Sequence, residues 1–374
     1  MNASDATFPG DAIRLHTRVW ARVRRMLLFV WRWGFGAFLC LSPPGSIVVV
    51  GWTLRRAAAA AHAEWTESGA KPARPNWVVR EGGGVWSSGA AHDAVLRRAR
   101  ARAASLVHSL AINFRVGLAS LLVVWSITLP GCVLWLFAWY DGWNNSFTKG
   151  YENAGVGPLT GVLGTALFIA AMMYVPMAQA RHAATGDWRS FYRFRVVWRM
   201  MRQCRFRYLG LAALYAATAL PVMILKSAPM VFTQIGDVWE PVTAVEARET
   251  LDGYFFWACV AVFPLFVALR VVGARVYAVA ARRAVATGRI DPADLHPVEA
   301  DALAALAPSE PSRRRRGGRA LTTVWVAALA VVWFAFVAQI FVSEFLNYHP
   351  GVGWLNQPTA QAPWFHYIPG HLKN

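Results

Sequence analysis

Long apolar runs separated by polar segments dominate the chain and predict membrane-spanning helices. Five runs each hold about the 17–25 apolar residues that cross a hydrocarbon core. They lie at 113–139, 159–180, 208–225, 254–277 and 320–342. The pattern predicts an all-α integral membrane protein, built as a bundle of five transmembrane helices with a further apolar segment at its N-terminal side.

That further segment, at 34–56, is interrupted by Pro43, Pro44 and Gly45. Proline removes amide donors that lipid cannot satisfy, and glycine permits a reversal of the chain. Arginines flank the segment on both sides, which favours a return to the starting side. We predict a re-entrant hairpin with the Pro-Pro-Gly sequence at its tip; the alternative is a sixth span, kinked at the prolines.

The charged residues are distributed unevenly between the polar segments. The chain has 38 Lys and Arg against 20 Asp and Glu, a net charge of +18. When the five spans alternate sides, 140–158, 226–253 and 343–374 together hold only Lys149, Lys226, Arg248 and Lys373. The positive-inside rule therefore predicts an inner-membrane protein with a cytoplasmic N-terminus and a periplasmic C-terminus. The segments 57–112, 187–207 and 289–319 are then cytoplasmic. The excess of arginine over lysine, 34 to 4, together with the many alanines, suggests a bacterial source.

A weak internal repeat organises the centre of the chain. "FRVGLASLLVVWSITLPG", from Phe114, resembles "FRYLGLAALYAATALPVM", from Phe206, and "ARHAATG" at Gly186 resembles "ARRAVATG" at Gly288. We interpret 113–186 and 208–288 as two helical hairpins of the same orientation; coincidental Ala/Leu-rich similarity is the alternative. Each of the four repeat spans holds one proline that we expect to kink its helix: Pro130, Pro176, Pro221 and Pro264.

Three basic regions are candidates for contact with anionic lipid headgroups. The arm 1–33 carries a basic amphipathic helix, with arginines spaced along one face at Arg14, Arg18, Arg22 and Arg25. The linker 289–319, which its composition predicts to be disordered, carries Arg313, Arg314, Arg315 and Arg316. The segment 187–207 alternates arginine with aromatic residues and predicts an interfacial helix; nucleic-acid binding is the less favoured interpretation.

Few residues suggest chemistry. The sequence contains no nucleophile, phosphate-binding or zinc-binding motif, and its four cysteines form no Cys-x-x-Cys pair, so we predict neither cofactor nor metal. The loop 140–158 is the best candidate for ligand binding, through Asp141, Asn144, Asn145, Lys149, Tyr151 and Glu152. Two of these are carboxylates suited to acid–base work. The alternative is a structural loop between two helices.

The apolar spans also limit the function. Their centres carry no Asp, Glu or His, which argues against a proton-coupled carrier. Arg270 and Arg275 lie near the cytoplasmic end of their span, where we expect them to extend to the headgroups.

The functional hypothesis is a non-enzymatic scaffold, assembly or accessory subunit with a protein partner or a second copy in the membrane. The aromatic tail 343–374, beyond the last span at 320–342, suits docking. A permease for a neutral or lipid-like substrate ranks second, and a lipid-processing enzyme ranks third.

Overall fold

The computed structural model describes residues 9–40, 42–67, 93–137, 156–232, 243–306 and 319–332, and these ranges contain helices and no strand. The helices are α1 (Pro9–Leu39), α2 (Pro43–Glu67), α3 (Asp93–Phe137), α4 (Val156–Thr185), α5 (Phe194–Gln203), α6 (Arg205–Phe232), α7 (Ala244–Ala286), α8 (Pro297–Leu303) and α9 (Arg319–Val332). Short 3-10 helices cover Trp188–Tyr192, Pro292–Asp294 and Ala304–Leu306. The predicted all-α class is confirmed for this part of the chain.

Among the described helices, three are long and apolar enough to cross a membrane. The apolar lengths are Val107–Leu134 in α3, Leu159–Thr185 in α4 and Phe256–Ala286 in α7. Met26–Leu39 and Ala320–Val332 are shorter apolar helices. Three such helices are compatible with a membrane protein, as the apolar runs predict, whereas the count of five or six spans stays a prediction.

Helices α2 and α3 pack antiparallel with their backbones in direct contact. A Cβ atom placed on Gly51 would lie 1.7 Å from the carbonyl oxygen of Asn113, and one on Gly117 would lie 2.0 Å from that of Ile47. Only a residue without a side chain fits at either point, so glycine permits this close approach.

The remaining helices build outward from this pair. Helix α4 is antiparallel to α3, since Gln179 Nε2 donates to Ser120 Oγ at 2.9 Å while Gly131 packs against the backbone of Phe168. Helix α7 runs in the same direction as α2, because Trp52 stacks on Phe263 and, further along both helices, Trp65 contacts Ala278. Trp65 Nε1, near the end of α2, donates to the carbonyl oxygen of Ala278 at 3.2 Å. Helix α6 runs back along α7, because Leu225 contacts Tyr254 while the earlier Leu211 lies beside the later Gly273.

As a result, α2, α4 and α7 finish together, at Glu67, Thr185 and Ala286, and we name this end of the bundle the capped end. A ring nitrogen of His62 on α2 lies 3.0 Å from the carbonyl oxygen of Ala184 on α4. The short elements at 292–306 pack here, and the 188–192 turn runs from this end back along α4, past Arg181 to Tyr174. Much of the buried apolar core, including the fully enclosed Trp65, also lies at this end.

Two glycines end α4 and α7 with the same backbone geometry. Gly186 has φ 72° and Gly288 has φ 64°, in the left-handed region that glycine occupies without strain. The next aspartates, Asp187 and Asp291, each accept an amide two residues on and thereby begin a 3-10 helix. The two similar sequences therefore form similar turns, while the duplication of whole hairpins stays a prediction.

The interrupted N-terminal segment is divided between two helices. Helix α1 ends at Leu39, and Pro43, Pro44 and Gly45 form the first turn of α2. Proline suits this position because first-turn amides have no partner within the helix. The sequence interpretation ended the segment at residue 56, but α2 continues to Glu67 because its alanine-rich face is buried in the bundle. The re-entrant path itself stays a prediction.

The four repeat prolines lie within helices that continue on both sides of them. Pro130 is in α3, Pro176 in α4, Pro221 in α6 and Pro264 in α7. A bend at these positions stays a prediction.

Candidate functional site

The most distinctive polar arrangement in the described residues is a buried ion pair at the capped end. Arg181 on α4 donates from Nε to Glu299 Oε1 at 2.8 Å and from Nη2 to Oε2 at 2.6 Å. The two side chains are 1% and 0% exposed. Such a two-pronged arginine–carboxylate pair combines strong hydrogen bonds with a single allowed orientation.

Further hydrogen-bond partners satisfy the remaining groups of both charged side chains. Tyr277 on α7 donates its hydroxyl to Glu299, and the backbone amide of His296 donates to Oε2 at 2.9 Å. The third arm of Arg181, Nη1, donates to the carbonyl oxygen of Ser190 at 3.1 Å. The cluster therefore connects α4, α7, α8 and the 188–192 turn. We name Arg181, Tyr277, Ser190 and Glu299 the capped-end cluster.

Local sequence explains how Glu299 reaches this position. "HPVE" forms a capping box at the start of α8, in which His296 Nδ1 accepts the amide of Val298 and Glu299 turns back to the amide of His296. Pro297 at the first position of the helix has no amide to satisfy. The conformation of this helix start therefore directs the Glu299 carboxylate toward Arg181, near the end of α4.

The surroundings keep Glu299 ionised. Burial by itself raises the pKa of a carboxyl group, but the hydrogen bonds and charge of Arg181 outweigh it, and the pKa of Glu299 lies below its ordinary value. A carboxylate held this firmly is a poor proton acceptor at neutral pH. The geometry therefore suits a latch that fixes α8 and the 188–192 turn to the bundle, and it does not suit acid–base catalysis.

Two further arginines are buried between helices. Arg55 on α2 donates from Nη1 to Asn113 Oδ1 at 2.7 Å and to Ser109 Oγ at 3.1 Å, which ties α2 to α3. Arg270 is 5% exposed and lies 4.6 Å from the ring centre of Phe266. The expectation that Arg270 extends to the headgroups is therefore wrong, because its side chain packs inside the bundle; Arg275, in contrast, is exposed.

The residues proposed from the sequence are not brought into this cluster. Asp141, Asn144, Asn145, Lys149, Tyr151 and Glu152 lie outside the described residues, as do Arg313, Arg314, Arg315 and Arg316. Arg14, Arg18, Arg22 and Arg25 lie on α1. In the part of the chain that the structure describes, no group of three His, Cys, Asp or Glu side chains is arranged to hold a metal ion.

Sequence reasoning missed the capped-end cluster because it assigned 289–319 to a disordered linker. Residues 289–306 instead form two 3-10 helices and α8, with Leu295, Ala302 and Leu303 buried. The arginine run and the Pro and Ser residues further along led to that assignment. The capping box at 296–299 was the one local signal that α8 begins there.

A small apolar cavity of about 50 Å³ lies between α4, α6 and α9. Its walls come from Met172, Met173 and Pro176 on α4, from Tyr208 and Tyr215 on α6, and from Leu329 on α9, among others. The lining contains no charged side chain. The cavity is therefore suited to an apolar group.

Comparisons with protein-family models, with curated proteins and with solved structures find no match. The fold alone therefore defines the class of protein: in its described residues the chain is helical, and three of these helices are long and apolar enough to cross a membrane.

Proposed function

We propose that the protein is a multi-pass protein of the bacterial inner membrane that acts as a non-enzymatic scaffold, assembly or accessory subunit of a membrane complex. The observation that carries the proposal is the filled interior of the bundle. Near the capped end the fully buried rings of Trp65 on α2 and Tyr277 on α7 lie 5.9 Å apart, and Phe168 on α4 is fully buried beside Gly131 of α3. A carrier needs a path for its cargo, whereas a scaffold needs a rigid, packed frame.

The buried charges support the same proposal. In the capped-end cluster, Arg181 and Glu299 satisfy each other and bind neighbouring backbone groups, so their charge is used internally. Polar groups that bind a substrate usually face a cavity. Here they join elements of the fold.

The exposed side of α1 supplies a surface on which other membrane components can pack. One side of α1 contacts α7, where the Trp33 indole donates to the carbonyl of Val260 and Ala37 is buried. Large apolar side chains on its other sides are exposed, among them Met26 at 69% and Trp31 at 66%. Lipid or another membrane helix covers such a surface in a membrane protein.

A carrier of a lipid-like substrate is the second candidate, and the apolar cavity beside Pro176 is the observation that favours it. A proline can bend its helix, and a change in that bend can widen a cavity beside it. The third candidate, a lipid-processing enzyme, depends on Asp141 and Glu152, which lie outside the described residues.

Purification in mild detergent, followed by native mass measurement, tests the proposal. We expect an assembly of defined stoichiometry that contains either one other membrane protein or further copies of this chain. An unrelated membrane protein with the same tag is the control for adventitious capture. Recovery of a lone monomer that moves phospholipid or a neutral solute across proteoliposomes would contradict the scaffold proposal and support the carrier.

A further inference from the structure

Helix α5 lies against the side of the bundle through one strongly apolar face. Val196, Val197, Met200 and Met201 on that face are buried. The other sides of the helix carry arginines and aromatic residues, several of them largely exposed. Two edges of the helix, one on each side of its buried face, point toward different parts of the bundle.

One edge of α5 and its preceding turn faces the apolar lengths of the spanning helices. Phe194 packs on Tyr174 of α4 with ring centres 4.9 Å apart, and the Tyr192 hydroxyl lies 2.7 Å from Ser126 Oγ of α3. Tyr174 stands about 16 Å of helix before the end of α4, at about 1.5 Å per residue. This edge therefore lies well below the capped end.

The opposite edge of α5 faces the capped end. Gln203 Nε2 donates to Thr287 Oγ1 at 3.1 Å, and Arg199 lies 3.5 Å from a carboxylate oxygen of Asp294. Both partners follow the end of α7. Helix α5 thus has an aromatic edge toward the apolar part of the bundle and a polar edge toward its capped end.

Exposed aromatic rings in this region carry arginines stacked on them. The guanidinium carbon of Arg202 lies 5.4 Å from the ring centre of Trp198, and that of Arg189 lies 5.5 Å from that of Trp188. A third pair, Arg205 on Phe206, is separated by 4.8 Å. The residues Trp188, Trp198 and Phe206 are 50%, 45% and 52% exposed.

The charge of the segment is strongly positive. Residues 187–207 contain seven arginines and one aspartate, Asp187. The Asp187 side chain is already used to cap the 188–192 turn. Arginines with a planar fork of donors bind phosphate in two-pronged fashion, and tryptophan favours the boundary between headgroups and acyl chains.

We propose that α5 and its flanking residues Trp188 and Phe206 form an interfacial surface that binds the phosphates of anionic phospholipids. The aromatic edge enters the boundary between headgroups and acyl chains, and Arg189, Arg202 and Arg205 hold the phosphates above it. The polar edge points to the aqueous side. This proposal stands independently of the scaffold function.

The same placement explains the capped-end cluster. Arg181 follows Tyr174 by about 10 Å of helix, on the aqueous side of α5. The surface of the bilayer then lies at α5, and the ends of α4 and α7 project beyond the hydrocarbon. The buried Arg181–Glu299 pair is therefore enclosed by protein outside the membrane, where lipid does not raise the cost of its charges.

Lipid titration of the full chain tests the headgroup contact. Native mass spectrometry in detergent measures binding of phosphatidylglycerol to the wild-type protein and to the triple variant R189Q/R202Q/R205Q. The matched control is R199Q/R283Q/R289Q, which removes three exposed arginines on the polar edge of α5 and around the end of α7, on the aqueous side of the proposed boundary. We expect the apparent affinity to fall by about fivefold for each arginine in the α5 variant, and by much less in the control. Equal losses in both variants would overturn the proposal.

Depth measurement provides an independent test with the arginines intact. A fluorophore on Trp198→Cys should be quenched by spin-labelled phospholipid in nanodiscs, and one on the exposed Ala293→Cys should not. Equal quenching at both sites, or none at Trp198→Cys, would overturn the interfacial placement. Displacement of phosphatidylglycerol by free inorganic phosphate alone would assign the arginines to a soluble anion, and binding of RNA or an acidic protein in its place would likewise reject a lipid surface.

Discussion

Arg181 and Glu299, 118 positions apart in the chain, form a two-pronged ion pair whose side chains are almost completely enclosed. Burial of two charges is costly, and the pair is maintained only because each charge also has hydrogen-bond partners nearby. The relationship fixes α8 to α4 and explains why the segment after α7 is ordered.

Loss of one partner of this pair should be strongly destabilising. Arg181→Met or Glu299→Gln leaves a buried polar group without its counterpart, and we expect a cost of about 3–5 kcal/mol in the free energy of unfolding. Urea or thermal unfolding in detergent measures it. Arg199→Met is the matched control, because its pair with Asp294 is 50% and 57% exposed and should contribute less than about 1 kcal/mol. Equal effects at Arg181 and Arg199 would show that burial of the first pair is unimportant.

The stability should depend on pH through Glu299. Because its pKa is lower in the folded protein than its ordinary value of 4.5, its ionised form favours folding. This contribution is complete above pH 4.5 and is lost as the pH falls through the lowered pKa. Thermal unfolding between about pH 7 and about pH 3 tests the dependence. In the Glu299→Gln variant, the unfolding temperature should fall less steeply with decreasing pH. If it falls as steeply as in the wild-type protein, Glu299 does not cause the pH dependence.

A single methyl group should disturb the contact between α2 and α3. Gly51→Ala places a Cβ atom 1.7 Å from the carbonyl oxygen of Asn113, so the two helices must separate. We expect a loss of about 1–3 kcal/mol, as for other overpacked sites, measured by thermal unfolding. Gly210→Ala on α6 is the control, since a Cβ atom there meets no atom within 4 Å and should be neutral or stabilising. A neutral Gly51→Ala variant would contradict the close packing.

The two glycine turns should respond alike to substitution. Gly186→Ala and Gly288→Ala force a side chain into the left-handed region, at φ 72° and φ 64°, and we expect each to cost about 1–2 kcal/mol. The same unfolding measurement applies, again with Gly210→Ala as the reference. A clear cost at one glycine and none at the other would argue against equivalent turns in the two segments.

Much of the fold follows from local sequence. The apolar lengths of α3, α4 and α7 are predictable because hydropathy is a property of consecutive residues. The "TG" endings at Gly186 and Gly288 are similarly local, since left-handed backbone favours glycine wherever it occurs. The candidate site was less predictable. Its one local signal was the capping box before Glu299, which reveals a helix start and nothing of the partner.

By itself, then, the sequence determined the helical class, the apolar helices and the turns that end them. The tertiary structure alone decided that Glu299 meets Arg181, that α2 continues past its two arginines to Glu67, and that Arg270 is buried. Helix formation depends on neighbours a few positions away, whereas the burial of a charge depends on which helix faces meet. Those faces come from segments distant in the chain, and the pattern of consecutive residues does not show which of them pack together.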